Sequence, residues 1–144
     1  MKISIGFTGT QVGMTQEQQY TLEKYLKISV NSIAECEYHH GDCVGADEQF
    51  HKILEKLGVI NIIIHPPINK SKRAFCKSNT IREQKEYLVR NKDIVNESEI
   101  LIATPKENDE QLRSGTWSTV RYAKKNKKRV FIIYPNGIMR LYET

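Results

Sequence analysis

The run from Val59 to Ile64, apolar but for Asn61 and stopped by His65-Pro66-Pro67, constrains the fold more than any other stretch of this chain. A strand that is apolar on both faces must be covered on both faces, which points to a parallel sheet lying between helices. The rest of the chain fits around it. Lys2 to Phe7 reads as a first strand, and Thr15 with Gln18 three residues later forms a capping box. The helix it opens carries Leu22, Leu26 and Ile33 on one face, with Tyr25 beside them. Glu37 to His40 reads as a second strand, and Ala46, Phe50, Ile53, Leu54 and Leu57 recur at helical spacing until Gly58. Tyr87, Leu88, Asn91, Ile94 and Val95 predict a helix feeding a strand at Glu99 to Ala103. Ser114 caps a helix running to about Lys125, ahead of a fifth strand from Val130 to Tyr134.

Strands alternating with helices predict an α/β domain of Rossmann-like, three-layer form, with a parallel five-stranded sheet in the order 3-2-1-4-5 and helices on both faces. In that order the chain reverses direction across the sheet between strands 1 and 4. Ligands of open α/β sheets bind at such a switch point, outside the carboxyl ends of the strands. The loops expected to meet there are Thr8 to Met14 and Thr104 to Gly115. The polar, aperiodic stretch from Asn69 to about Thr80 is a candidate flap.

With 144 residues the chain is expected to form a single domain over its whole length, 1–144. It shows no apolar run of the roughly 20 residues a spanning helix needs, and it opens on a strand-like pattern, so a cytoplasmic location without membrane association is expected. Cys36, Cys43 and Cys76 are odd in number and lack a C-x-x-C spacing, which argues against a disulfide framework or a structural zinc site. The net charge of +5 comes from two runs, Lys70 to Arg73 and Lys124 to Arg129. Nucleic-acid binding calls for a broader basic stripe with exposed aromatics, so an anionic small ligand is the better expectation.

Arg113-Ser114-Gly115-Thr116 opens the fourth helix, where free backbone N–H groups and the helix dipole favour an anion. Gly115 leaves room at the backbone, Ser114 and Thr116 add hydroxyls, and Arg113 adds a fork of charged donors. Trp117 either stacks on a base or fills the core. Thr8-Gly9-Thr10-Gln11 leaves strand 1 through a glycine but is neither a G-x-G-x-x-G fingerprint nor a P-loop. Its hydroxyls and amide suit phosphate or ribose contacts. In Gly41-Asp42-Cys43-Val44-Gly45-Ala46-Asp47, one of the two carboxylates is expected to cap the second helix or hold a ribose hydroxyl. No metal site is expected there, because His39 and His40 face opposite ways along a strand. Arg90 and Asn91 lie on the helix before strand 4, with Asn91 turned inward.

In their order, Gly6-Phe7-Thr8-Gly9-Thr10, His40 to Asp47, Arg90-Asn91 and Ser114-Gly115-Thr116 resemble the SLOG superfamily, the Rossmann-like group that includes LOG enzymes, DprA proteins and small YspA-like bacterial or phage proteins. The segment after strand 2 is similar to the G-G-A-x-G-A-D of YspA-like members. The resemblance implies a pocket for nucleotides or nucleotide-like signals, including NAD-derived molecules of antiphage defence, and pairing into homo-oligomers. LOG enzymes carry P-G-G-x-G-T-x-x-E with a catalytic Glu, whereas this chain has Thr119 at that place. A hydroxyl there cannot serve as a carboxylate acid or base.

The leading expectation is therefore a protein with no catalytic residues and no cofactor that binds a nucleotide-derived small molecule, NAD-derived or cyclic, as a sensor or as a phage-encoded sponge for an immune signal. Its expected ligand-binding residues are Thr8, Gly9, Thr10, Gln11, Gly41, Asp42, Gly45, Asp47, Arg90, Asn91, Arg113, Ser114, Gly115, Thr116 and Trp117. One alternative is a LOG-like phosphoribohydrolase in which Asp42, Asp47 or Glu110 replaces the missing Glu. Another is DprA-like binding of single-stranded DNA through the basic runs.

Overall fold

The computed structural model describes residues 2–32 and 35–142. In chain order the elements are β1 (Lys2–Gly9), α1 (Gln16–Ser32), β2 (Glu35–His40), α2 (Ala46–Lys56), β3 (Ile62–Ile64), a 3₁₀ turn (Lys70–Lys72), β4 (Thr80–Ile81), α3 (Tyr87–Asn96), β5 (Ile100–Thr104), α4 (Gly115–Lys125), β6 (Arg129–Ile133) and β7 (Met139–Leu141). Ile33, expected on the apolar face of α1, lies outside the described residues.

The sheet corrects the five-stranded, all-parallel expectation. It has seven strands in the order β4-β3-β2-β1-β5-β6-β7, and the β6–β7 pair is antiparallel. The five strands read from the sequence lie side by side in the middle. The two additions are edges of two and three residues, too short to show a period. Residues 139–141 return along β6 through a turn that places Gly137 at φ 88°.

Side chains alternate across the strands and divide the core into two layers. On one face Ile5, Phe7, Tyr38 and Ile64 meet Leu22 and Leu26 of α1 and Phe50 and Leu54 of α2, all buried. On the other, Leu101, Ala103, Val130 and Ile132 meet Val95 of α3 and Trp117, Val120 and Ala123 of α4. Helix α3 comes so near β1 that a Cβ on Gly6 would collide with Ser98 and press on Ile94. The capping box opens α1 as the sequence predicts: the Gln18 amide donates to the Thr15 hydroxyl (3.0 Å), and the Thr15 amide donates to the Gln18 side-chain Oε1 (2.9 Å). Gln18 is buried and its side-chain nitrogen also donates to the carbonyls of Pro105 (2.8 Å) and Ile133 (2.9 Å), fastening α1 beneath the loop that follows β5.

Phe7 and Phe50 stack with ring centroids 4.3 Å apart, both fully buried, and join β1 to α2. Truncating Phe50 leaves a void that so dense a layer closes only in part. We predict that Phe50→Ala lowers unfolding free energy by about 3–5 kcal/mol. Ile28→Ala on the exposed side of α1 is expected to change it by no more than about 0.5 kcal/mol. Urea unfolding followed by circular dichroism measures both.

Candidate functional site

β1 is flanked by β2 on one side and β5 on the other, both parallel to it, so the loops after β1 and β5 part at the carboxyl ends of the strands. Between them lies a cleft of about 1200 Å³. Its walls are Gly9 to Val12 after β1, Lys106, Glu107 and Gln111 to Thr116 after β5, Pro67 to Asn69 with Lys72 from the segment after β3, and Glu86 and Tyr87 at the start of α3.

Helix α4 points its amino terminus into this cleft. Ser114 is its cap, accepting a hydrogen bond from the Trp117 amide (3.2 Å), while the amides of Gly115 and Thr116 belong to the first turn and have no partner within the helix. Gly115 is not open to the cleft in the way the sequence suggests. The Tyr87 hydroxyl sits where a Cβ of residue 115 would be, so an anion meeting this helix end also meets that phenol. Burial raises the Tyr87 pKa above its ordinary value, which keeps it a neutral donor. Lys72, Lys106 and Arg113 are exposed cations on the cleft wall, which also carries Glu86 and Glu107. Glu107 is engaged, accepting from the Trp117 indole nitrogen at 3.1 Å.

Of the residues expected to bind ligand, Gly9, Thr10, Gln11, Arg113, Ser114, Gly115 and Thr116 line the main cleft. Thr8, Gly41, Asp47, Arg90 and Asn91 line a small recess of about 20 Å³ that shares Gly9, Gln11, Cys43 and Tyr87 with the cleft. Asp42, Gly45 and Trp117 line neither. Trp117 is a core side chain, 1% exposed and packed among Val95, Leu101 and Val120. Gly45 adopts φ 94°, and a Cβ there would strike the backbone of Gln11, so its role is to let two loops touch.

The capping role expected of Asp42 or Asp47 is also corrected, since the cap of α2 is Gly45 and no side chain caps it. Asp42 is fully buried in a left-handed turn (φ 55°) and accepts from Arg73 Nε (2.9 Å) and the Cys76 amide (2.9 Å). With the Val44 amide donating to the Lys72 carbonyl (2.9 Å) and the Ala74 amide to the Asp42 carbonyl (2.7 Å), this pins the supposed flap to the turn after β2. Lys72 reaches the cleft from an anchored segment. Of the other two sequence candidates for a replacement carboxylate, Asp47 lines the recess, while Glu110 pairs with Arg121 (2.8 Å) and accepts from Tyr142 (2.8 Å), outside the cleft. Thr119 is 3% exposed and its hydroxyl donates to the Gly115 carbonyl of its own helix (2.9 Å).

Beneath the recess, Arg90 is 3% exposed and donates to the carbonyls of Gly41 and His65, while its Nε has no partner among the described residues. A Cβ on Gly41 would collide with this guanidinium. Burial pushes the Asp47 carboxyl up to about 6; Arg90 and the Cys43 amide, which donates at 3.2 Å, offset only part of it. Burial and Asp47 likewise push the Cys43 thiol up, so it offers no ready thiolate. Lys72, Lys106, Glu86, Glu107 and Tyr87 are the ionisable side chains of the wall, Cys43 aside, that the expected ligand-binding set does not include. Helical spacing puts Tyr87 on the face of α3 with Asn91 and Ile94, but nothing in that spacing tells that its hydroxyl reaches residue 115.

No protein-family model matches the sequence, and no curated protein matches it. Among solved structures the chain is similar to the molybdenum cofactor binding protein of the phototrophic bacterium Rippkaea orientalis, with TM-score 0.71 and 21% identity over 93% of this chain and 77% of that one. It is similar to the DNA processing protein DprA of Streptococcus pneumoniae (TM-score 0.69, 16% identity, 90% of this chain and 50% of that one). It is also similar to the molybdenum cofactor carrier protein of Chlamydomonas reinhardtii (TM-score 0.67, 18% identity, 90% and 76%). These likenesses show the fold: an α/β domain with a parallel-dominated sheet between helices. Among the described residues no helix is long and apolar enough to cross a membrane.

Within this fold the raised Asp47 carboxyl has a measurable consequence. A carboxyl whose folded pKa lies above its unfolded value of about 3.9 contributes stability below that pH and loses it as pH rises through the folded value. Relative to the wild type, Asp47→Asn is therefore expected to gain on the order of 2–3 kcal/mol between about pH 4 and pH 6.5. Urea titrations of both proteins across that range check the slope.

Proposed function

We propose that the protein binds a phosphate-bearing, nucleotide-derived small molecule in the cleft between the β1 and β5 loops and releases it unchanged. The observation that carries this reading is the meeting, in one cleft of about 1200 Å³, of the unpartnered first-turn amides of α4 with Lys72, Lys106 and Arg113. Helix amino termini favour phosphate through these amides and the dipole, and the cations add charge-assisted contacts. Pockets for drug-sized ligands occupy roughly 300–1000 Å³, so this volume favours a ligand of dinucleotide size. NAD-derived molecules and cyclic dinucleotides meet that requirement. A protein that captures such a ligand intact serves either as a sensor or as a sponge that withdraws an immune signal.

Binding rather than hydrolysis is favoured by Thr119, whose hydroxyl is spent on its own helix where a LOG enzyme has a carboxylate. Binding of DNA is disfavoured by the separation of the two basic runs: Lys72 lies on the cleft wall, whereas Lys124 to Arg129 close α4 and the turn after it, at the far end of that helix from the cleft.

Isothermal titration with cyclic ADP-ribose isomers, cyclic dinucleotides, NAD and the molybdenum cofactor bound by two of the fold neighbours is expected to give at least one saturable nucleotide complex. Chromatography should then recover the ligand intact. Removing a charge-assisted phosphate contact costs about 1.5–3 kcal/mol, so Lys72→Ala or Lys106→Ala should weaken that complex about 10- to 100-fold. Release of a free base or ribose phosphate would establish the hydrolase instead. A salt-sensitive gel shift of single-stranded DNA, with no small ligand bound, would favour the DprA-like reading.

A further inference from the structure

The four histidines of the chain form two buried pairs, one on each face of β2. His40 Nε2 lies 2.9 Å from His51 Nδ1, and His39 Nδ1 lies 2.8 Å from His65 Nε2. Neither pair lines the cleft or the recess. Each has a third group near it with metal-binding atoms: the Cys76 sulfur for the first pair and the Glu97 carboxylate for the second, with all ligand atoms of a set within 4.8 Å of one another.

The two sets differ in where their protons are held. A metal-bound imidazole keeps a proton on its other nitrogen and donates it to an acceptor, commonly a carboxylate. In the first set the outer nitrogen of His40 faces a donor: the Asp42 amide donates to His40 Nδ1 at 3.0 Å. The His40 proton is thereby forced onto Nε2, the atom that would have to bind the metal. In the second set the outer nitrogen is correctly served. His39 Nε2 donates to Glu37 Oε1 at 2.7 Å, and Glu37 is held as a carboxylate by Lys2, whose ammonium is 2.6 Å away. His39 Nδ1 is left with its lone pair directed at His65, whose Nε2 carries the proton between the two rings in the metal-free protein. No donor meets His65 Nδ1 among the described residues, so this proton can pass to Nδ1 or be released when an ion takes its place, whereas the Asp42 amide bars that shift in His40.

We propose that His39 Nδ1, His65 Nε2 and the Glu97 carboxylate form a binding site for a divalent transition-metal ion such as zinc, separate from the cleft. Two imidazoles and a carboxylate suit zinc and its neighbours, and three protein ligands leave a fourth position for water. The rings need only a small adjustment. Zinc with nitrogens at about 2.0–2.1 Å in a tetrahedron holds them about 3.3 Å apart, so the pair must open by roughly half an ångström. Glu97 is exposed at the end of α3 and gives the ion a path from solvent. It is at present paired with Arg82 at 2.7 Å, so the ion must displace that guanidinium. The ligands come from β2, the residue after β3 and the carboxyl end of α3, segments too far apart in sequence to show a metal-binding spacing.

The test is a titration of the full chain, stripped of metal by a chelator and dialysed, with Zn²⁺ by calorimetry and with Co²⁺ by visible absorbance. One equivalent is expected, with the intense d–d bands of a four-coordinate cobalt site. Glu37→Gln should weaken binding about 10- to 100-fold by removing the carboxylate behind His39. Glu97→Gln should weaken it and Arg82→Gln should strengthen it; both positions are exposed, so these variants decide the matter even if His65→Gln fails to fold. His51→Gln, in the other pair, should leave the affinity unchanged. No saturable Zn²⁺ or Co²⁺ binding, or an affinity indifferent to both Glu97→Gln and Arg82→Gln, overturns the proposal.

Discussion

The position of β1 between two parallel neighbours governs the rest of the molecule. Parallel strands need crossovers of one hand, so the connections toward β2 and toward β5 place α1 and α2 on one face of the sheet and α3 and α4 on the other. The loops leaving β1 and β5 must then diverge. At their base they remain joined, the Thr10 amide donating to the Thr104 carbonyl at 3.3 Å, and beyond that bond the cleft opens. The cleft is thus a product of strand order, and its chemistry is whatever those loops and the start of α4 present.

Two backbone approaches keep the floor of the cleft in shape. Gly45 lies against the Gln11 backbone while the Ala46 amide donates to the Thr10 carbonyl at 3.0 Å, which locks the start of α2 to the loop after β1. Arg90 binds the carbonyls after β2 and β3 from α3, across the absent side chain of Gly41. Over this floor the walls are more exposed: Val12 and Leu112 are 74% and 84% accessible, and Lys72, Lys106 and Arg113 extend into solvent. A fixed floor with solvated walls suits a ligand held at one end by phosphate contacts and covered along the rest.

Much of this arrangement was legible where the cause is local. Thr15 with Gln18, and Ser114 before α4, are caps because their side chains bond amides three residues away, and that distance is written in the sequence. The apolar run before His65 implied the two-sided cover, and its second half supplies it: Ile62–Ile64 form β3 and are buried, while residues 59–61 are outside the strand and Ile60 is 85% exposed. What depends on remote partners was not legible. Thr80–Ile81 and Met139–Leu141 become strands only because β3 and β6 offer open edges. Asp42 faces Arg73 rather than capping α2, and its left-handed turn is visible only when the segment after β3 lies across it. For Trp117 the sequence offered the core as one of its two places, and the core is where the ring lies; that its indole nitrogen finds Glu107 was not legible. The imidazole pairs show the same rule, for His39 and His65 meet only through the pairing of β2 with β3.

The central claim is that phosphate is held at the start of α4 between the β1 and β5 loops. Amide chemical shifts of isotopically labelled protein, titrated with the nucleotide that binds most tightly, test it most directly. The account predicts that the largest changes fall on Gly115 and Thr116, with smaller ones on Gln11 and Tyr87, and little change along Lys124 to Arg129. Changes confined to the carboxyl end of α4, with Gly115 and Thr116 unmoved at saturation, would contradict it.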